Sequence, residues 1–281
     1  MPTTWRVLML DASDIYEKYH GMDTKTISGL GDQLFAALAQ RRAIEPLTSR
    51  FADLTVDDAY AIQQQLMTRR IAAGEKIIGK KIGVTSQAVM DMLGVQQPDF
   101  GMLTDAMWHL DGAIVDMRTL LQPKAEAEIA FRLKKDLKGP GITADNVLAA
   151  TDSVMPCFEI VDSRIRDWKI KIQDTVADNA SCGVFVINET KVDPNQVDLL
   201  DCAMVMEKNG TVVATGTGAA TMGSPLNAVA WLANAMGRQG VTLRAGEIVL
   251  SGALGAMVPV SQGDTLHMRI NGIGACSISF V

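Results

Sequence analysis

Lys124-Ala125-Glu126-Ala127-Glu128-Ile129-Ala130-Phe131 is the stretch that decides how this chain folds and where its chemistry sits. The run alternates like a strand, and in extended backbone residues two apart project to the same face. Glu126 and Glu128 therefore point together from a strand that is otherwise mostly apolar. Like charges side by side repel, so they need either open water or a cation. A second run, Val154-Met155-Pro156-Cys157-Phe158-Glu159-Ile160-Val161, carries one carboxylate among nearly all apolar neighbours. A buried charge of that kind needs a partner, because burying it alone is very costly. Three carboxylates meeting at one point would make a hard oxygen site suited to Mg²⁺ or Mn²⁺ rather than zinc. Taken singly, the residues leave other readings open. An E-x-E pair suits a solvated strand face, and Glu159 could instead pair with Arg164.

Outward from these runs, short apolar or alternating segments are separated by glycine, proline and aspartate: 81–84, 184–187, 203–207, 212–215, 248–250, 266–270 and 276–281. With 125–133 and 154–161, this spacing predicts a β-rich α+β fold with a mixed or antiparallel sheet, or a barrel-like roll. Upstream the period changes. Leu30, Leu34, Phe35 and Leu38 repeat at helical spacing. A second helix opens at Thr55-Val56-Asp57-Asp58, a capping box with aspartate in place of glutamate, and runs to Gly74. One late helix is announced by Ser224-Pro225, an N-cap followed by proline in the first turn. Its apolar face is Leu226, Val229, Leu232, Ala233 and Met236. The expected organisation is an extension of uncertain order over 1–21, a small helical region over 22–76 and a β-rich catalytic domain over 77–281. Met22 is an alternative start.

The 281 residues are 48% hydrophobic and 21% charged, with a net charge of −6, an ordinary globular balance. No basic stripe is available to neutralise phosphates, which excludes nucleic acid as a partner. No apolar run approaches the roughly 18 residues that cross a bilayer, and the N-terminus does not read as a signal peptide. Cys157, Cys182, Cys202 and Cys276 form no CxxC pair and read as buried free thiols in a reducing cytoplasm. The three histidines, His20, His109 and His267, are isolated and give no zinc site. Gly216-Thr217-Gly218-Ala219-Ala220-Thr221-Met222-Gly223 follows a strand and precedes a helix, but Thr221 stands where a dinucleotide loop needs its third glycine.

Several uncommon strings taken together are specific where any one would be weak. They are Gly79–Ser86 (GKKIGVTS), Gln97–Gly101 (QPDFG), Lys124–Phe131, Pro156–Arg164 (PCFEIVDSR), Ala177–Ser181 (ADNAS), Gly218–Pro225 and Val229–Asn234. From about Gly79 to Val281 the chain resembles the 2-hydroxypentadienoate (2-oxopent-4-enoate) hydratases of the fumarylacetoacetate hydrolase superfamily. The resemblance implies that Glu126, Glu128 and Glu159 bind Mg²⁺ or Mn²⁺. It also implies that Lys81, immediately before Ile-Gly, is the functional lysine rather than Lys80, which would face the other way. Read locally, Asp99 is a turn residue; the resemblance places it near the substrate as a candidate acid–base group beside Lys81. Asp178 and Asn179 are candidate substrate-binding residues that could equally cap a turn.

The implied reaction is hydration of 2-hydroxypenta-2,4-dienoate to 4-hydroxy-2-oxopentanoate in aromatic meta-cleavage catabolism. The alternatives are a 2-oxo-3-hexenedioate (4-oxalocrotonate) decarboxylase, a hydratase of a longer dicarboxylate, or a non-catalytic scaffold for a partner enzyme. The resemblance further implies a cytoplasmic homo-oligomer that can associate with another enzyme of its pathway.

Overall fold

The structure, a computed structural model, describes residues 21–281. The expectation for the N-terminal extension lies outside the described residues, save Gly21. Helices α1 (Thr24–Gln40), α2 (Leu47–Arg50) and α3 (Val56–Ala72) come first. Asp23 caps α1, and Thr55 and Asp58 close the capping box of α3. Then follow β1 (Ile77–Gly83), α4 (Gln87–Leu93), β2 (Asp99–Thr104), β3 (Trp108–Leu110), β4 (Ala113–Val115), β5 (Pro123–Leu133), α5 (Ala144–Ala150) and β6 (Thr151–Asp162). The remainder is α6 (Ile172–Ala177), β7 (Cys182–Ile187), β8 (Ala203–Lys208), β9 (Thr211–Thr217), α7 (Pro225–Arg238), β10 (Ile248–Leu250), β11 (Val258–Pro259), β12 (Thr265–Ile270) and β13 (Gly274–Phe280).

The strands form two mixed sheets. The larger has the order β2-β1-β10-β5-β6-β7-β3, with β11 added beside β5; the smaller has the order β4-β13-β12-β8-β9. This is the expected β-rich α+β architecture. Its spine is the antiparallel pair β5–β6, in register from Pro123 opposite Asp162 to Arg132 opposite Ser153. Alternation along β5 sorts the two faces. Ala125, Ala127, Ile129 and Phe131 enter the main core with Phe158, Ile160, the smaller sheet and α7. The opposite face meets a smaller apolar cluster that includes Ala130, Cys157, Phe185 and Leu250. Apolar burial at about 25 cal/mol per Å² therefore acts on both sides of the spine.

The N-terminal helices are built on Ile27, Leu30, Leu34, Ile62 and Leu66, and their apolar cluster also includes Ile165, Val176 and Ala177. Gln63, buried on α3, donates from Nε2 to the carbonyls of Phe100 (2.9 Å) and Val176 (3.0 Å), which joins the helical layer to β2 and α6.

The segment Gly216–Gly223 has a packing role. A Cβ at Gly216 would lie 1.7 Å from the carbonyl oxygen of Leu254, and one at Gly218 would lie 1.8 Å from that of Leu199. Backbone approaches backbone there, which only glycine permits. Gly218→Ala is therefore expected to destabilise the protein by about 1–3 kcal/mol or more, read as a lower urea midpoint. An unchanged midpoint would show that the backbone can yield.

Candidate active site

Strand register assembles the site. Glu126 stands directly opposite Glu159 across β5 and β6, and Glu128, two residues on, faces the same way opposite Cys157. On the neighbouring strands Lys81 pairs with Leu250, and Leu250 with Ala130, which shares the face of the glutamates. Lys81 also lies opposite Gly101, and Gly83 lies opposite Asp99. All five charged residues thus reach one side of the larger sheet.

One carboxylate oxygen from each of Glu126, Glu128 and Glu159 lies within 4.8 Å of the others. Glu128 and Glu159 are fully buried, and Glu126 is half-buried. Glu128 accepts a hydrogen bond from the Gly252 amide at 2.8 Å. Its other oxygen and both oxygens of Glu159 have no hydrogen-bond partner. Buried carboxylate oxygens are rarely left so, and ion–oxygen distances of about 2.0–2.6 Å let one hard cation reach all three groups. The donor set fits Mg²⁺ or Mn²⁺. Without a cation, burial and the charge of Glu159 push Glu126 up to about 7 and raise Glu128 well above the usual carboxylate range.

Lys81 Nζ sits 3.2 Å from Glu159 Oε1 and donates to the Ala180 carbonyl at 3.0 Å. Burial alone would favour the neutral amine, but Glu159 and Asp99 outweigh it and raise the ammonium pKa. Lys80 turns away, as its place in the strand predicts, and pairs with Glu247. Asp99 is not a turn residue but the first residue of β2. Its Oδ1 is buried without a partner, and a Cβ on Gly83 would lie 2.3 Å from that oxygen and 3.1 Å from Lys81 Nζ. The missing side chain at Gly83 is what lets Lys81 and Asp99 approach. Burial first, with Glu159 adding to it and Lys81 opposing it, lifts Asp99 to about 6.

Asp178 and Asn179 are buried and hydrogen-bonded within the protein. Asp178 accepts from Nε, the backbone amide of Arg164 and the Ser163 hydroxyl. Arg164, 1% exposed, is thereby taken up, and Glu159 pairs with Lys81 instead. Asn179 bonds both backbone groups of Met102, at 2.7 and 2.9 Å. Asn179, Ala180 and Ser181 all adopt left-handed backbone, with φ of 55°, 51° and 52°. Such residues persist only where their surroundings hold them. The Arg164 and Met102 contacts hold this turn, and the turn aims the Ala180 carbonyl at Lys81. Periodicity gave no sign of this carbonyl, nor of the Gly252 amide, because both are backbone groups.

The raised carboxylates set a pH dependence with a definite sign. A folded pKa of about 7 for Glu126, above its ordinary 4.5, contributes stability fully present below about 4.5 and lost as pH rises through 7. A cation replaces those protons, so its stabilisation should grow with pH. Melting with EDTA or with Mg²⁺ at pH 6 and pH 8 should show a larger Mg²⁺-dependent rise in Tm at pH 8. An equal rise at both would show that the three carboxylates are ionised without metal.

Residues 85–281 match the fumarylacetoacetate (FAA) hydrolase C-terminal family. A 2-hydroxyhexa-2,4-dienoate hydratase of Comamonas testosteroni is 56% identical over 92% of this chain and 98% of its own length. A 2-hydroxypent-2,4-dienoate hydratase of Pseudomonas putida is 61% identical over 78% of this chain and all of its own length. Among solved structures, the 4-oxalocrotonate decarboxylase of Pseudomonas putida G7, complexed with magnesium and adipate, superposes with a TM-score of 0.91. It is 38% identical over 94% of this chain and 100% of that one. The chain belongs to the 2-hydroxypentadienoate hydratase group of the fumarylacetoacetate hydrolase superfamily.

Proposed function

We propose that this protein is a divalent-metal-dependent hydro-lyase that converts 2-hydroxypenta-2,4-dienoate to 4-hydroxy-2-oxopentanoate. The observation that carries the reading is the buried cluster of Glu126, Glu128 and Glu159 with Lys81 and Asp99 on the same sheet face. Hydratases at 56% and 61% identity support it. The three glutamates would hold Mg²⁺ or Mn²⁺, which supplies Lewis-acid stabilisation of charge on the 2-oxygen of the substrate.

Lys81, held as the ammonium by Glu159 and Asp99, supplies local positive charge for an acidic substrate on a protein of net charge −6. Asp99, with a pKa near 6, changes protonation close to neutral pH, which suits general acid–base work. The enol hydroxyl loses its proton while C5 gains one, giving 2-oxopent-3-enoate. Water then adds across C3 and C4: its oxygen bonds C4, one proton goes to C3, and the other remains on the new hydroxyl. Asp99 is the group placed to carry these protons, and Ala180 and Glu159 keep Lys81 beside it.

The 4-oxalocrotonate decarboxylase reading rests on the close structural match, but the hydratases match at higher identity. A non-catalytic scaffold would not need to retain all three glutamates. We further infer a cytoplasmic homo-oligomer able to associate with a neighbouring pathway enzyme. Among the described residues no helix is long and apolar enough to cross a membrane.

The decisive assay follows loss of the dienol's ultraviolet absorbance in Mg²⁺ or Mn²⁺ and identifies the product. Carbon dioxide released from 2-oxo-3-hexenedioate would favour the decarboxylase. Glu128→Ala should remove activity while the fold survives, because the substitution removes a buried acid whose ionisation the fold opposes; full turnover by that variant would end the assignment. Asp99→Asn should lower kcat by about 10²–10⁴-fold with little change in Tm. Unaltered kcat would remove Asp99 from the chemistry.

A further inference from the structure

Lys124, Glu126 and Glu128 alternate onto one face of β5, and burial falls away along it: Glu128 is sealed, whereas Glu126 and Lys124 are half-buried. The face therefore opens at its Lys124 end. There the Lys124 ammonium lies over the ring of Trp168, 4.2 Å from the centroid. Among the described residues it forms no ion pair and no hydrogen bond, although Glu126 is near enough for the two charges to act on each other. Other cations nearby are spent: Lys80 on Glu247, Lys81 on Glu159 and Arg164 on Asp178.

The seat of this lysine is held from several sides. Trp168 Nε1 donates to the Gln122 carbonyl at 2.9 Å, and Gln122 Nε2 donates in turn to the carbonyl of Ser163 at 2.9 Å and to that of Ile165. Asp167 and Trp168 hold left-handed backbone, with φ of 57° and 54°, which a bulky residue keeps only where its surroundings impose it. That turn lays the indole against the ammonium and runs on into α6. Ile172 of α6 helps to wall a cavity of about 220 Å³ bordered by Asp99, with Tyr60, Gln96 and Gln97.

An acidic substrate approaches a protein of net charge −6, so it needs positive charge where it enters. Lys81 does not supply that at the entrance, being 2% exposed and held by Glu159. A cation at the open end of the face does, and an aromatic ring keeps it in place without neutralising it. We infer that Lys124, seated on Trp168, is the docking residue for the substrate carboxylate. It holds the arriving acid at the mouth and leaves the chemistry to the residues further in. The identity of that acid rests on the hydratase reading; the role of Lys124 needs only a small carboxylic acid.

Steady-state kinetics on 2-hydroxypenta-2,4-dienoate in Mg²⁺, at low and high salt, test this. In dilute buffer Lys124→Met should raise KM and lower kcat/KM by about tenfold, with kcat within about twofold of the unsubstituted protein. In about 1 M KCl, where the Debye length is about 3 Å, the gap should close. Lys124→Arg should restore kcat/KM, because a guanidinium keeps the charge and stacks on indole. Trp168→Leu should lower kcat/KM about two- to fivefold, the worth of an exposed cation–π contact; no change would remove Trp168 from the role. A fall in kcat with KM unchanged would make Lys124 part of the chemistry, and a loss that persists at high salt would make it structural. Either result overturns the docking role, as does a weakened Mg²⁺ affinity that saturating Mg²⁺ repairs.

Calorimetric binding of 2-oxopentanoate to the Mg²⁺-loaded protein separates this inference from the hydratase reading. Salt-sensitive weakening by Lys124→Met without turnover of any dienoate would sink the reading and keep the docking role. Turnover with no salt-sensitive difference between Lys124→Met and the unsubstituted protein would keep the reading and end the docking role.

Discussion

Glu126 and Glu159 face each other across β5 and β6, with Glu128 beside them, so three acidic groups share a space that water hardly enters. Nearly every other feature of the site answers that crowding. Lys81 is drawn in against one oxygen of Glu159, the Gly252 amide is spent on one oxygen of Glu128, and the other oxygen of each glutamate is left without a partner. The arrangement is costly to fold and useful once folded. Acids that hold protons in the free protein would lose them to a bound cation, and the same low-polarity surroundings would strengthen the pull of that cation on an acidic group.

Rigid support for the cluster comes from a second buried charge. Arg164 is wrapped by Asp178 and by the carbonyls of Asp162 and Cys182, and removing one partner of such a pair typically costs 3–5 kcal/mol. That pair anchors the left-handed turn at Asn179–Ser181, which carries the carbonyl that orients Lys81. Asp178 and Asn179 thus help to place Lys81. The motif that contains them is a frame for the lysine.

The helical layer reaches the neighbourhood of the charged cluster. Thr24–Ala72 precedes the first residue matched by the family signature, Thr85, yet α3 contributes Val56 and Tyr60 to the cavity bordered by Asp99. The charged cluster stands on sheet strands, and helix residues line the neighbouring cavity.

What the sequence determined by itself was local. Alternation in Lys124–Phe131 and the run at 154–161 revealed the spine; Thr55-Val56-Asp57-Asp58 and Ser224-Pro225 revealed where helices begin; E-x-E placed two acids on one face. These signals need only neighbours along the chain, where period and capping act. Shared strings singled out Glu126, Glu128 and Glu159, which the structure brings within 4.8 Å of one another. Tertiary structure alone decided that Asp99 starts a strand, that Arg164 takes Asp178 and leaves Glu159 to Lys81, and that Tyr60 walls a cavity. Each depends on register or packing between segments dozens of residues apart, and a backbone donor such as Gly252 leaves no trace in side-chain pattern. Electrostatic pairing in a buried site is settled by distance in space, which the order of residues does not state.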